Sequence, residues 1–342
     1  MSINLLYVSC HGTLEYNELK IFNSLGFNVR SIGVYTDPYN PIDQIFNPPL
    51  VDLPQDLDFI EKAKNLYSKW PSIPLKGDLI KDFDVIIVAH ALEPVQNNFA
   101  LIKDKIVIRR TVGQGCGAFE HSFLKYAPYI KTVRVSKKER AWRPYAGEDA
   151  IILGPVDPYI YDGSWVGTLE KSLTIKNRFN KYPHASRYDV WLDIVKETNY
   201  TLVGKENESI LGAVSNLSYK ELLDYYRAHR VCICMPSRPA PITYGLAEAL
   251  MMGSPVVTLG PVLGGERTAN TYEHHEIIQN GITGFYSDNV FELRNYIKDL
   301  LSDFNLAKKI SNSAKEQAKT LFHPDVIKNK WKDFFKTLGI NL

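Results

Sequence analysis

Cysteine is scarce: four in 342 residues, at positions 10, 116, 232 and 234. Four are too few to staple a chain of this length, so a disulfide scaffold is excluded and hydrophobic cores must carry the fold. Cys232 and Cys234 alternate within "VCICM" and are read as reduced, packing as small hydrophobes on one strand face. Long apolar runs are missing as well; no stretch approaches the ~18 residues of a membrane-spanning helix. The opening "MSINLLYVSCHG" lacks a basic leader with an apolar run and a cleavage site. A cytoplasmic protein is expected, at most peripheral to the inner face of a membrane. Net charge is nearly absent, at +2, which removes the general case for a nucleic-acid partner. No internal repeat or low-complexity tract stands out.

What the chain does have is ordinary globular material, 45% hydrophobic and 23% charged residues, enough for roughly two domains at ~150 residues each. Short apolar runs alternate with amphipathic stretches. "INLLYVSCH", "FNVRSIGVY", "FDVIIVAH" and "KIVIRRTVG" read as strands. "TLEYNELKIFNSLG" and "DLDFIEKAKNLYSKW" read as helices, and 38–54 as Pro-rich irregular chain. After a Gly-, Pro- and Asp-rich link (154–171), "SLTIKNRF", "YTLVG", "RVCICMPS", "SPVVTLG" and "GITGFYS" supply further strands. "SYKELLDYYRAH" carries a capping box, Ser218 with Glu221. Continuously apolar strands in β-α-β rhythm predict parallel sheets covered on both faces. The expected organisation is an α/β domain over 1–155, a second over 156–325 and a terminal helix over 326–342.

Open α/β sheets bind ligands at the carboxyl ends of their strands. In the second half that edge carries Gly204, the "PSRPAPITYG" loop (236–245) and the "GPVLGGE" loop (260–266). Three prolines delay the helix until it opens around Thr243, where unpaired N–H groups and the helix dipole suit a diphosphate. Ile242, Thr243, Tyr244 and Gly245 are the expected donor-binding residues there. Glu248, flanked by Leu246, Ala247, Ala249 and Leu250, has little solvent face, and a buried unpaired carboxylate is costly. It could accept both hydroxyls of a ribose.

The ordered segments "SYKELLDYYRAHRVCICMPS", "YGLAEALMMGSPVVTLG" and "IIQNGITGFYSDNVFELRNYI" resemble the C-terminal half of retaining, family-four nucleotide-sugar glycosyltransferases of the GT-B fold. The matching features are a Pro-Ser strand end, a Glu-Ala helix with Gly and Pro-Val-Val behind it, and the turn of Asn280, Gly281, Thr283 and Gly284. The resemblance implies two facing Rossmann-like domains, the last helix returning to the first, and chemistry in the cleft between them. It implies a nucleoside diphosphate sugar donor in the second domain, UDP-sugar favoured over GDP-sugar, and an acceptor in the first. The acceptor would be a saccharide, a lipid-linked or another hydroxyl compound. Glu248 matches the family's ribose-binding glutamate. The family's earlier glutamate, eight residues before, is replaced here by Ala240, so the donor sugar would rest on amides around Ile242–Tyr244 or differ.

Family members place an Arg and a Lys after the first strand of this half, and "TIKNRFNKY" supplies Lys176, Arg178 and Lys181. Arg178 is the first choice for the diphosphate because its planar fork grips two oxygens, with Lys181 next and Lys205 weaker. Helix dipole and these cations would offset the departing charge, so no protein-bound metal is expected. In the first half, "SCHGTLEYNE" brings His11, Gly12 and Glu15 to a strand end. Gly12 permits close approach of a ligand, and His11 would hydrogen-bond the sugar, or act as base were the enzyme inverting. His90 ends "VAH", and 36–56 and 90–99 are expected acceptor loops. "RTVGQGCGAFEH" lacks the GxGxxG spacing, so Gly115 and its neighbours read as an acceptor or phosphate loop.

"DFD" (82–84) lies at the amino end of a strand, and the adjacent histidines of "EHHE" (273–276) miss the i, i+4 zinc spacing; neither is read as a metal site. "KKERAWRPY" and "KNKWKDFFK" mix cations with aromatics, as surfaces that touch anionic membrane do, although solvated helix faces do so more often. Two rival readings stay open: a nucleotide-sugar-binding protein without turnover, which Ala240 would suit, and a DNA-modifying glucosyltransferase, which would need a strongly positive cleft.

Overall fold

In the computed structural model, residues 3–37, 56–67, 69, 73–161, 165–215, 217–266 and 269–342 are described. The irregular chain expected over 38–54, with most of the acceptor loop expected over 36–56, lies outside them. The chain divides into two units: Met1–Pro155 with Pro324–Leu342, and Val156–His323.

The first unit is built on six parallel strands: β1 (Asn4–Ser9), β2 (Asn28–Gly33), β3 (Val85–Ala89), β4 (Ile106–Arg110), β5 (Lys131–Arg134) and β6 (Ala150–Ile151). Their order is β2-β1-β3-β4-β5-β6. Period-two alternation splits β1 between two cores. Leu6 and Val8 pack with Phe59, Leu66 and Ile102 on one face, and Leu5 and Tyr7 with Leu19, Phe22 and Trp331 on the other. Among the described residues the helices of eight residues or more are α1 (Gly12–Ser24), α2 (Leu57–Tyr67), α3 (Glu93–Ile102) and α4 (Gly117–Leu124), with α10 (Pro324–Thr337) arriving from the chain's end. Trp331 of α10 meets Phe22 of α1 edge-on at 5.0 Å, which ties the last helix into this unit. The loop expected over 90–99 is largely α3, because Pro94 pre-sets the first helical turn.

The second unit repeats the plan with β7 (Leu169–Ile175), β8 (Tyr200–Val203), β9 (Ala213–Val214), β10 (His229–Cys234), β11 (Val256–Leu259) and β12 (Phe285–Ser287). All are parallel, in the order β12-β11-β10-β7-β8-β9. Its longer helices are α5 (Tyr188–Val195), α6 (Tyr219–Ala228), α7 (Tyr244–Met252), α8 (Val290–Ser302) and α9 (Phe304–Phe322). The capping box at the start of α6 forms as the sequence predicts: Glu221 N–H donates to Ser218 Oγ at 3.3 Å and Ser218 N–H to Glu221 Oε2 at 2.7 Å. Trp191, fully buried on α5, donates its indole N–H to Thr174 Oγ1 at 2.9 Å. Leu246, Ala249, Leu250, Met251 and Met252 bury every side of α7 but the one bearing Glu248.

Each sheet changes winding direction once. In the first unit this happens between β1 and β3, in the second between β7 and β10. Chain leaving the carboxyl ends of such strand pairs diverges to opposite faces and leaves a crevice for a ligand.

Candidate functional site

At the second unit's crevice, β7 continues into Lys176 and β10 into Pro236 and Ser237. Lys176 Nζ spans the two exits, donating to Pro236 O at 2.6 Å and to Ser237 Oγ. Burial lowers this ammonium to a pKa of about 8. Gly204, leaving β8, passes so near that a Cβ there would sit 2.1 Å from Lys176 O, and its φ of +149° is one that L side chains rarely adopt. Buried Asn207 locks the same junction, donating to Lys176 O at 2.6 Å and Gly204 O at 3.1 Å.

From Ser237 the chain makes a tight turn, with Ala240 N–H donating to Ser237 O at 2.8 Å. The Arg238 guanidinium bonds Leu263 O and Gly264 O, pinning this loop to 260–266. Residues 242–245 are all partly exposed. Thr243 caps α7, its side chain accepting from Leu246 N–H at 3.3 Å. Gly245, at the second helical position, has an amide with no intrahelical acceptor by geometry.

His274 holds the cap from behind. Thr258 Oγ1 donates to Cys234 O at 2.7 Å and accepts from His274 Nδ1 at 3.1 Å, which leaves Nε2 to accept Thr243 N–H at 3.3 Å. Burial, with the Lys176 charge acting the same way, lowers His274 to about 3, so the ring stays neutral. The "EHHE" stretch therefore contributes a helix clamp. Its pairing with Thr243 crosses 31 positions, and no local motif announces it.

Glu248 is half-buried one turn into α7. Tyr226 OH donates to its Oε2 at 3.1 Å, Tyr161 adds a second hydrogen bond, and desolvation raises the carboxyl pKa. Tyr226 and Tyr161 meet edge-on at 6.4 Å. A carboxylate has about four lone-pair positions, so two tyrosine donors leave capacity for two more. Tyr161 comes from the stretch read as an interdomain link, and nothing in its composition marked it.

Arg178 and Lys181 lie on the same edge, both more than half exposed, and share one counter-ion: Arg178 Nε and Lys181 Nζ bond Glu206, the latter at 2.6 Å. Arg178 is held at a φ of +53°, its N–H donating to Lys205 O at 2.9 Å. The cation already at the crevice is Lys176. Cys232 and Cys234 project to one side of β10, sulfur to sulfur 3.8 Å.

In the first unit His11 caps α1, its Nδ1 accepting Leu14 N–H at 3.2 Å, so the ring proton sits on Nε2. Burial lowers it to about 4. With Nδ1 taken by the helix cap and the proton on Nε2, the base role considered from the sequence does not suit this tautomer. Gly12 is the first residue of α1. Glu15, expected at an acceptor surface, is fully buried instead. Its carboxylate accepts Ser31 Oγ (2.8 Å), Thr36 Oγ1 (2.7 Å) and the amides of Tyr35 (3.0 Å) and Thr36 (3.3 Å), latching α1 to the exit of β2. His90, at a φ of +68°, donates its amide to Arg110 O at 2.8 Å and stacks on Phe119 at 5.6 Å. A Cβ on Gly115 would lie 3.1 Å from Trp142 Nε1, so this glycine packs on the indole. Trp142, Trp331, Phe334 and Phe335 are all buried; these aromatics of the two cationic segments are core and not membrane-facing surface. Among the described residues no helix is long and apolar enough to cross a membrane.

The largest feature missed from the sequence is a charge network under β4 and β5. Arg110 pairs with Glu18 at 2.8 Å, while Glu120 receives Arg109 and Arg134, each at 2.6 Å, all fully or nearly fully buried. The signal was available in "IVIRRTV": an apolar strand ending in two arginines demands buried acids.

No family model and no curated protein matches the chain. Solved structures do match. A glycosyltransferase from Rickettsia africae aligns over 100% of both chains at 15% identity and a TM-score of 0.68. A sucrose-phosphate synthase from Thermosynechococcus elongatus aligns over 98% of this chain and 99% of its own, at 14% identity and 0.66. Anabaena HepE, in complex with UDP and glucose, aligns over 98% and 100%, at 10% identity and 0.64. At such identities the likeness is one of fold, and the fold is GT-B.

Proposed function

We propose that this chain is a glycosyltransferase that moves a sugar from a nucleoside diphosphate sugar to a hydroxyl acceptor, with retention of anomeric configuration. UDP is the favoured nucleotide, because HepE of the same fold carries it. The observation that carries the reading is the convergence at the β7/β10 crevice of a half-buried lysine, an exposed helix start and a half-buried glutamate with spare acceptor capacity.

The second unit takes the donor. The amides of Ile242, Tyr244 and Gly245, around the Thr243 cap, receive the diphosphate, Glu248 the ribose diol, and Gly204 lets backbone and ligand approach. As the bond to the anomeric carbon breaks, charge gathers on the departing phosphate. Lys176 and the α7 dipole offset it, with Arg178 and Lys181 exchanging Glu206 for phosphate oxygens, so no protein-held divalent ion is invoked. The departing phosphate oxygen takes the acceptor proton on the same face, as the family resemblance implies. The first unit takes the acceptor, a saccharide or another hydroxyl compound, near His11 and His90.

A second reading, nucleotide-sugar binding without turnover, is favoured by Ala240, which is buried in a tight turn where the family carries a glutamate. A panel of nucleoside diphosphates and their sugars, read by thermal shift, tests both. Ligand bound to the native state alone raises stability as RT ln(1 + [L]/Kd), so one base should stand out. Release of nucleoside diphosphate from a bound donor distinguishes turnover from binding, and no stabilisation by any member would contradict both readings.

A further inference from the structure

Arg109, next to last in β4, has its side chain 2% exposed, yet only part of its guanidinium is satisfied. Nη2 donates to Glu120 Oε1 at 2.6 Å, while Nε and Nη1 are buried with no hydrogen-bond acceptor. The Phe123 ring lies 3.7 Å from Cζ and covers one face of the plane, leaving the edges to find oxygen. Buried donors without acceptors are rare in folded proteins and cost about 1–3 kcal/mol each, more when charged. The neighbouring acids are already engaged. Glu120 also accepts Arg134 Nη2 and Ala146 N–H, and Glu139 accepts Thr111 Oγ1, Val135 N–H and Arg134 Nη1.

Arg109 forms part of the wall of an opening at the carboxyl end of β4, with His90, Thr111, Gly113, Gly115 and Glu139. The space is about that of one water molecule, enough for a single carboxylate or phosphate oxygen and not for a sugar ring. A guanidinium is suited to such oxygens in charge and geometry.

We propose that the first unit holds an oxyanion pocket on Arg109, and that the acceptor it takes carries a carboxylate or phosphate group. The pocket stands on the geometry of this unit alone; only the word acceptor rests on the glycosyltransferase reading. Arg109 is a binding and specificity residue here, supplying donors that a neutral sugar hydroxyl would fill less well. A neutral acceptor would leave the charge buried and partly unmatched.

The test uses the full chain labelled with 15N-arginine. Inorganic phosphate and, separately, acetate are titrated at constant ionic strength against a chloride control, with and without saturating UDP. The expected result is a saturable shift of the Arg109 Nε–H resonance with phosphate or acetate, undiminished by UDP. Phosphate alone, acetate alone or both would identify which acid the pocket fits. Arg109→Lys, which keeps the charge but loses the fork, should weaken anion binding at least about tenfold by calorimetry. Should that variant fail to fold, His90→Ala alters the pocket wall without touching the Arg109–Glu120 pair, and its effect on the same resonance supplies the assignment. A resonance unmoved by either anion, or moved equally by chloride, overturns the proposal. Calorimetric UDP binding is scored separately: UDP without an Arg109 response removes only the pocket, and the reverse removes only the donor reading.

Discussion

Replacing Glu248 with alanine perturbs two sets of partners, and their sizes can be estimated apart. On the protein side, Tyr226 and Tyr161 lose their acceptor. A fully buried donor left unpaired costs ~1–3 kcal/mol, but half-burial at this position lets water replace the carboxylate. The loss of stability should therefore stay near ~1–2 kcal/mol, leaving a folded chain. On the ligand side, hydrogen bonds to a charged group are worth ~1.5–3 kcal/mol each. Two ribose hydroxyls sharing one carboxylate are not additive, so ~3 kcal/mol is a reasonable total, or roughly a hundredfold in Kd. The assay is calorimetric titration of wild type, Glu248→Gln and Glu248→Ala with UDP and with 2′,3′-dideoxy-UDP. Wild type should prefer UDP by about two orders of magnitude, Glu248→Gln by about one, and Glu248→Ala hardly at all. Equal affinity of wild type for both nucleotides, or unchanged UDP affinity in Glu248→Ala, would refute the ribose assignment.

Four further outcomes follow from the same geometry. Lys176 titrates at about 8; since only its charged form aids diphosphate binding, UDP affinity should fall as pH rises from 8 to 9.5, and Lys176→Arg should flatten that profile. His274 is held neutral, with its pKa depressed to about 3. The unfolded chain binds this proton first, so stability present above pH ~6.5 is lost as pH falls, and His274→Gln should reduce the slope of unfolding free energy between pH 4.5 and 6.5 by up to ~1.4 kcal/mol per pH unit. Desolvation opposes ionisation of Glu120, but Arg134 and Arg109 together overcome it and bring its pKa down to about 2. Its contribution is present above pH ~4.5 and lost toward pH 2, and Glu120→Gln, which leaves two buried guanidiniums short of a partner, should cost ~3 kcal/mol or more by denaturant titration at pH 7. Gly204→Ala forces a methyl group against Lys176 O; a loss of ~2 kcal/mol or more is expected in thermal unfolding, with weaker UDP binding.

Both sheets were legible in broad outline because continuously apolar segments such as "LLYV", "VIIV" and "VCIC" can only be strands buried on two faces. The short strands β5, β6 and β9 were not, since each has only two to four residues and carries no such run, β6 and β9 lying at sheet edges. At the site, the helix start at Thr243 and the odd placement of Glu248 could be read locally: prolines forbid an earlier helix, and an acid among buried apolar residues needs partners. Those partners, Tyr161 and Tyr226, lie 87 and 22 positions away, and only the fold joins them. The preference for Arg178 and Lys181 came from chemistry without geometry. Glu206 occupies both, while Lys176, one step from the strand end, already spans the crevice. Glu15 shows the converse: its position after β1 suggested a ligand surface, but the Ser31 and Thr36 hydroxyls and the Tyr35 amide turn inward to consume its oxygens.

Amide hydrogen exchange with and without UDP addresses the central claim directly, because it reports which backbone groups the diphosphate covers. Protection is expected to concentrate in 236–250, strongest at the amides of 244 and 245, with a smaller effect across the 176–181 and 204–206 loops. Saturating UDP that leaves 244 and 245 exchanging at their free rate, or that protects residues only in the first unit, would contradict it.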